Sequence, residues 1–469
     1  MLTVGTAALS HEFFSSVCVY FRIKKIHVHL HMSMEKFLLY AEPVTPRLRY
    51  IASHVVSGIL GGELLFTGNL NEARSANIPL INYSGSPVPG AVNIIPHDLL
   101  GERIIQSQHT DPVNRDGIPL IFPSSGPDDT GFDLFAASFF MLSRYEEYLP
   151  YKKDSHGRFP YVESMACRHS LEDEPLVDLW AMILKKTIIR KYPSVSFPER
   201  EFSFIPTIDV DIPWAYRNRG FLRTAGGIAR SLLRADIEDV RLRYRVLLRG
   251  DPDPYDTFDL IEKIHKDYGV SPVFFFSAGT YGMYDKCISS GNPDYRRLIT
   301  GISERNDWGI HPSYLSFDDP VLLRKEMEII AGITGEAPVR SRQHYLRLRF
   351  PHTCRILAAN GISDDYTVGW AEMPGFRAGT CTPFFFYDLE REEPSELKLI
   401  PFQIMDGTLR DYLELSPEAA ADHALMIVKK VRDVRGTLVT LWHNESFSDL
   451  GRWNNWKNVY LEIIKEATR

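Results

Sequence analysis

Beyond residue 200 the chain alternates between short apolar runs and stretches of helical period. This grammar of strand, helix, strand calls for α/β layering around a parallel sheet or barrel. The runs 202–213, 272–277, 308–311, 339–345, 362–367, 398–403 and 436–443 read as strands or strand-like segments, and 256–268, 320–333, 353–360 and 417–434 read as helices. Polar or titratable residues recur where the strands end: Asp209 and Asp211, Ser277, His311, Arg342 and His344, Asp364 and Asp365, and His443. In a barrel of parallel strands the site lies at the C-terminal rim, so this recurrence is the pattern an active site leaves.

The stretch 202–213, FSFIPTIDVDIP, is the sharpest of these. Strand alternation sets Asp209 and Asp211 on one side and Ile208, Val210 and Ile212 on the other. Two like charges so close raise one another's pKa unless a cation or hydrogen bonds separate their roles. The pair therefore reads as a metal ligand beside a base. The plainer reading is a strand end whose carboxylates cap the next helix or pair with Arg217 and Arg219. Taken singly, His311 and His443 read as structural histidines more often than as ligands, and Arg342 as a bridge between surface carboxylates.

The rest of the chain bounds the possibilities. Its 469 residues suffice for two or three domains, and 44% hydrophobic with 24% charged residues is an ordinary globular balance. A net charge of −7 with scattered Lys and Arg gives no reason to expect a nucleic-acid partner. Cysteines 18, 167, 287, 354 and 381 are odd in number and widely spaced, the usage of reduced thiols in a cytoplasmic protein. No apolar run approaches the roughly 18–20 residues of a membrane span. Residues 1–33, with alternating His27, His29 and His31, form an atypical leader, and the fold is expected to begin at Met34. From 34 to 195 a smaller mixed α/β domain is expected, with a helix over 178–191. Its segment 131–148 reads as a buried helix from which Arg144, Glu146 and Glu147 emerge at the C-terminal turn. Prolines 193 and 198 mark a linker before a second domain over 200–469.

Carboxylate and imidazole together make the ligand set of Zn²⁺ and related divalent ions. Such an ion activates water, a second carboxylate takes its proton, and a separate histidine protonates the leaving group, a constellation suited to amide hydrolysis. No GxSxG elbow, P-loop, GxGxxG turn or HExxH helix offers an alternative chemistry.

Residues 200–469 resemble the polysaccharide deacetylase family, the NodB homology group, whose distorted (β/α) barrel removes acyl groups from sugars with one bound divalent metal. TIDVD at 207–211 resembles the first motif, which implies Asp209 as base and Asp211 as metal ligand. His311 in HPSY matches the ligand histidine of the second motif. Arg342 in RQHY matches the arginine that holds the base, and His443 in LVTLWH matches the histidine acid. The resemblance of 364–383, with GFRAGT, brings Arg377 forward as a substrate-binding candidate beside Tyr345 and Trp442. Trp214, Tyr216, Tyr314 and Trp370 are further aromatic candidates at the rim. Residues 34–195 resemble the domain fused ahead of such barrels in Bacteroidetes.

Two positions depart from the family. Leu315 stands four residues after His311, where a second ligand is usual, and His344 replaces the proline of the third motif. His344 could supply the missing ligand, giving Asp211, His311 and His344 around zinc, with cobalt or nickel as substitutes. The expected function is metal-dependent deacetylation of a bacterial glycan or its precursor. The alternative is an inactive deacetylase-like protein that binds glycans or assists polysaccharide assembly.

Overall fold

Two parallel sheets organise the chain, and the sequence periods explain both. The computed structural model describes residues 34–469, so residues 1–33, with His27, His29 and His31, lie outside the described residues. The first sheet has the order β2-β1-β3-β4, from β1 (Lys36–Tyr40), β2 (Glu63–Thr67), β3 (Leu80–Tyr83) and β4 (Val92–Ile94), with all its pairs parallel. Around it lie α1 (Pro46–Ser53), α2 (Leu70–Ser75), the hairpin β5 (Val113–Arg115) and β6 (Ile118–Leu120), α3 (Leu134–Leu142), α4 (Met165–His169) and α5 (Leu176–Lys191).

Helix α3, LFAASFFML, is apolar all round, so no face of it can be left to water, and all nine of its residues are buried. Asp133 starts it by accepting hydrogen bonds from the Phe135 and Ala136 amides. It ends at Leu142, short of the expected 148, and Arg144 then turns left-handed at φ 52°. The expectation that Arg144, Glu146 and Glu147 emerge there is wrong. All three are buried, with Arg144 bonding Glu147 at 2.8 Å and Glu146 at 3.0 Å. Charges removed from water persist only when paired, and this group is closed by Arg377, 2.7 Å from Glu147.

The second sheet has nine strands in the order β12-β13-β11-β10-β9-β8-β7-β15-β14. These are β7 (Ser203–Val210), β8 (Val273–Ser277), β9 (Asp307–His311), β10 (Arg340–Ser341), β11 (Asp364–Asp365), β12 (Phe384–Asp388), β13 (Glu393–Leu399), β14 (Ile404–Met405) and β15 (Thr437–His443). Every pair is parallel except the hairpin β12–β13. The connecting helices are α6 (Phe221–Leu233), α7 (Ile237–Tyr244), α8 (Phe258–Asp267), α9 (Pro293–Ser303), α10 (Pro320–Thr334), α11 (His352–Ala359), α12 (Pro417–Asp433) and α13 (Trp456–Ala467). After pairing with β11, the chain leaving β13 donates from Ile400 to Asp365 and from Phe402 to Val368, and then from Gln403 to Val439. One stretch, 393–405, thus bonds to β11 and then to β15.

Side-chain alternation divides the core in two. Val273 and Phe275 of β8, Val439 and Leu441 of β15, and Ile205 of β7 pack in an inner cluster with Phe402 and Met405. Phe274, Phe276, Leu438, Trp442, Ile208 and Val210 join the larger cluster on the helix side. Asp209 and His443 continue the inner series. Residues 34–193 dock on the β12–β13 hairpin through Tyr50, whose hydroxyl donates to the Phe385 carbonyl at 2.6 Å, and Arg47, 2.9 Å from Glu392.

His265 of α8 ties the helix layer together. Its Nδ1–H donates to the Ile261 carbonyl at 2.7 Å and its Nε2 accepts from the Tyr460 hydroxyl at 2.5 Å, the pattern of a neutral ring. Burial, outweighing the bond to Ile261, lowers its pKa to about 4. An unfolded histidine titrates near 6.5, so this stabilising contribution is complete above that pH and is lost as the pH falls toward 4. The stability advantage of wild type over His265→Gln should shrink by about 2 kcal/mol between about pH 7 and pH 5. Denaturant titrations at the two pH values check this, and a pH-independent difference contradicts it.

Candidate active site

Four strand ends converge on one cleft of about 310 Å³. Asp209 is the penultimate residue of β7 and Asp211 follows the strand. His311 ends β9, Arg342 and His344 follow β10, and His443 ends β15. Asp209, Asp211, His311, His344, Tyr345 and His443 all line the cleft.

The distances describe a cluster centred on Asp211. Its Oδ1 lies 3.1 Å from His311 Nε2, and its Oδ2 lies 3.3 Å from His344 Nε2 and 3.7 Å from His443 Nε2. Ligand atoms of Asp211, His311 and His344 all fall within 4.8 Å of one another. Each imidazole is aimed by an acceptor at its far nitrogen. His311 Nδ1 donates to the Arg342 carbonyl at 2.7 Å, His344 Nδ1 to Asp285 at 2.8 Å, and His443 Nδ1 to Asp406 at 2.8 Å. A carbonyl or carboxylate only accepts, so each Nδ1 carries a proton and each Nε2 is the nitrogen that faces the cleft.

Asp211 Oδ1 and His311 Nε2 are buried without a hydrogen-bond partner, although they stand 3.1 Å apart. Buried polar atoms normally find partners, and a cation shared between these two would supply one. Two imidazoles and a carboxylate are a donor set that a divalent ion such as zinc accepts. Burial favours the neutral acid at Asp211, but His344 and His311 reverse this and hold its carboxyl well below the ordinary range.

Asp209 is held differently. Arg342 Nη1 donates to it at 3.0 Å and to Thr207 at 2.5 Å, while Nε donates to the Tyr366 carbonyl at 3.0 Å. The guanidinium is fully buried, 4.7 Å from the centroid of the Phe275 ring. Arg217 and Arg219 take no part, since Arg217 pairs with Asp256 and Arg219 donates to the Trp214 carbonyl. Burial opposes a charge on His443, yet Asp406, with Asp211 and Asp209 behind it, raises its pKa well above the ordinary value.

Two of the expected substrate-binding residues are not brought here. Trp442 is fully buried on the helix side, with its ring 5.3 Å from that of Tyr460, because a neighbour of His443 along a strand must face the opposite way. Arg377 is occupied by Glu147 and the Gly369 carbonyl. Trp214, Tyr216, Tyr314 and Trp370 are also absent from the lining, whereas Tyr284, Tyr412 and Trp453 line it unforeseen. Leu315 is 66% exposed, its side chain in solvent.

Several groups carried no signal in the sequence. Asp285 lies in the loop after β8, without a pattern around it. Asp406 closes an apolar run as Asp209 does, and that likeness could have found it. Glu445 lines the cleft two residues beyond His443; burial, against the pull of His443, pushes its carboxyl up to about 7. Arg158 comes from the N-terminal region. It is buried, bonds Asp154 at 2.6 Å and donates to the Tyr345 carbonyl at 2.7 Å. Tyr345 and Leu346 are both left-handed, at φ 57° and 54°. Bulky residues adopt that conformation only when surroundings hold them, and Arg158 clasps the turn that carries His344.

A family described as a family of unknown function (DUF7033) matches residues 37–193. A search of curated proteins found no match. Among solved structures, one from Mycobacterium smegmatis solved as a polysaccharide deacetylase is 18% identical, with 58% of this chain and 86% of that chain covered at a TM-score of 0.36. A polysaccharide deacetylase from Bacillus cereus is 13% identical, covering 57% and 88% at a TM-score of 0.28. A CE4 family pseudoenzyme from Bacillus anthracis is 12% identical, covering 55% and 60% at a TM-score of 0.27. At these TM-scores the likenesses carry no argument, and the assignments rest on the geometry above.

Asp285 accepts from the far side of His344 at 2.8 Å and from the Tyr314 amide at 3.0 Å, so Asp285→Ala leaves every cleft-facing donor in place. It should weaken divalent-ion affinity roughly 10–100-fold, the usual cost of losing a group that orients a ligand. Competition against a chromophoric chelator measures this, and unchanged affinity would remove His344 from the ligand set.

Proposed function

We propose that this chain hydrolyses an N- or O-acyl group of a bacterial glycan or glycan precursor in a metal-dependent reaction. The observation that carries the reading is the pair of buried, unpartnered atoms, Asp211 Oδ1 and His311 Nε2, beside His344 Nε2. The reading includes an N-terminal α/β domain over 34–195 and a distorted (β/α) barrel over 200–469. The stretch 393–405, bonded to β11 and then to β15, supports the barrel.

Asp211, His311 and His344 would hold one divalent ion, zinc first, with cobalt or nickel as substitutes. When bound, such an ion polarises an acyl carbonyl and makes water more acidic. Asp209 takes the proton of the attacking water, and Arg342 fixes its carboxylate in place. His443, kept protonated by Asp406, delivers a proton to the departing nitrogen or oxygen. Tyr345 and Tyr284 offer aromatic faces to a sugar at the mouth.

The competing reading, an inactive glycan-binding protein, draws on Leu315, which leaves the usual second-motif ligand unfilled. The two separate on metal and turnover. Purified protein should bind one divalent ion at micromolar concentration or below, and Asp211→Ala or His311→Ala should abolish binding. Acetate release from acetylated oligosaccharides should fall roughly 10²–10⁴-fold in His443→Ala, with metal content unchanged. Failure of the wild type to bind zinc, cobalt or nickel would favour the inactive protein. Full turnover in His443→Ala would displace His443 as the acid.

A further inference from the structure

The connection between β7 and α8 carries a helix whose amphipathic character is turned outward. In α6 the apolar residues Phe221, Ala225 and Leu232, with Leu222, Ala229 and Leu233 beside them, recur at helical spacing along one face. A surface helix of a folded protein normally buries that face. Here Phe221 is 85% exposed, Leu222 84% and Leu233 89%, while Ser231 is 7% exposed. The helix packs through its small and polar side, where the Ser231 hydroxyl meets the Asp239 carboxylate of α7 and Arg243 bonds the same group at 2.6 Å.

Ile237 and Leu248 in the segments that follow are exposed as well, and Arg223 links α6 to the exposed Tyr281 and Met283. Arg223 stacks on Tyr281 at 4.0 Å and donates to the Cys287 carbonyl at 3.3 Å. Of the large apolar side chains exposed among the described residues, eight fall within 221–248, so this is a patch and not a scatter.

Charge identifies the occupant. Residues 217–249 contain nine arginines, no lysine and three acids, a balance of +6 within a chain of −7. Arg230, Arg234, Arg241 and Arg249 are exposed and, among the described residues, form no ion pair. A second copy of the chain would bring the same positive face against itself. An anionic bilayer accepts both components, the arginines at the headgroups and the leucines and phenylalanine below them.

We propose that α6, α7 and the adjoining 281–283 loop form a docking surface for an anionic lipid bilayer. Asp253 secures the base of the excursion by accepting from the Ala215, Tyr216 and Arg217 amides. The 281–283 loop runs directly into Tyr284, Asp285 and Lys286, and Tyr284 and Lys286 line the cleft. A docked bilayer therefore lies beside the mouth of the site and favours a substrate held at a membrane surface. The docking itself does not depend on the acyl-transfer chemistry proposed above.

Sedimentation of the full chain with phosphatidylcholine vesicles, with and without phosphatidylglycerol, tests this. The wild type should bind the anionic vesicles at least roughly tenfold more tightly than the neutral ones, and less tightly in high salt. Phe221→Ser with Leu233→Ser, and separately Arg230→Glu with Arg234→Glu, should each lower that affinity at least roughly tenfold while zinc affinity is retained. No binding to anionic vesicles, equal binding by the variants, or a dimer that the apolar pair of substitutions converts to monomer would each overturn the proposal.

Discussion

The cleft depends on one arrangement: three imidazoles turned so that their Nε2 atoms face Asp211. None of them is aimed by packing alone. Each is oriented by an acceptor behind it, the Arg342 carbonyl, Asp285 or Asp406, and each acceptor belongs to a different part of the sheet or its loops. The Arg342 carbonyl orients His311 while its side chain secures Asp209, so one residue sets the Asp209 carboxylate relative to that imidazole. That coupling explains a guanidinium held fully buried against Phe275, where Asp209 balances its charge and Thr207 and the Tyr366 carbonyl accept from Nη1 and Nε.

The same arrangement gives the N-terminal region a physical connection to the site. Arg158 reaches the cleft and clasps the left-handed turn at Tyr345 and Leu346, the residues that follow His344. The Arg144, Glu147 and Arg377 group and the docking of Tyr50 and Arg47 on the β12–β13 hairpin make this a shared, buried boundary. In the functional reading advanced above, residues 34–195 therefore brace the site.

What the sequence disclosed followed from periodicity. Apolar runs of strand length, separated by helical stretches, gave the order of β7, β8, β9 and β15 and brought Asp209, Asp211, His311, Arg342, His344 and His443 to one rim. Period-two alternation also excludes Trp442 from the cleft once His443 faces inward. The groups that escaped detection lack local pattern. Asp285 and Arg158 act across long sequence separations, and only the folded chain brings them to His344 and Tyr345. An apolar helix followed by charges reads as an exit to solvent, whereas Arg377, more than two hundred residues away, supplies the partner that keeps the charges after α3 buried.

The central claim is that Asp211, His311 and His344 surround one cation. Anomalous diffraction from crystals soaked in zinc tests it most directly. The account predicts a single strong peak at roughly 2.0–2.2 Å from an Asp211 oxygen and from the Nε2 atoms of His311 and His344. A peak elsewhere on the protein, or none in the cleft at saturating zinc, would contradict it.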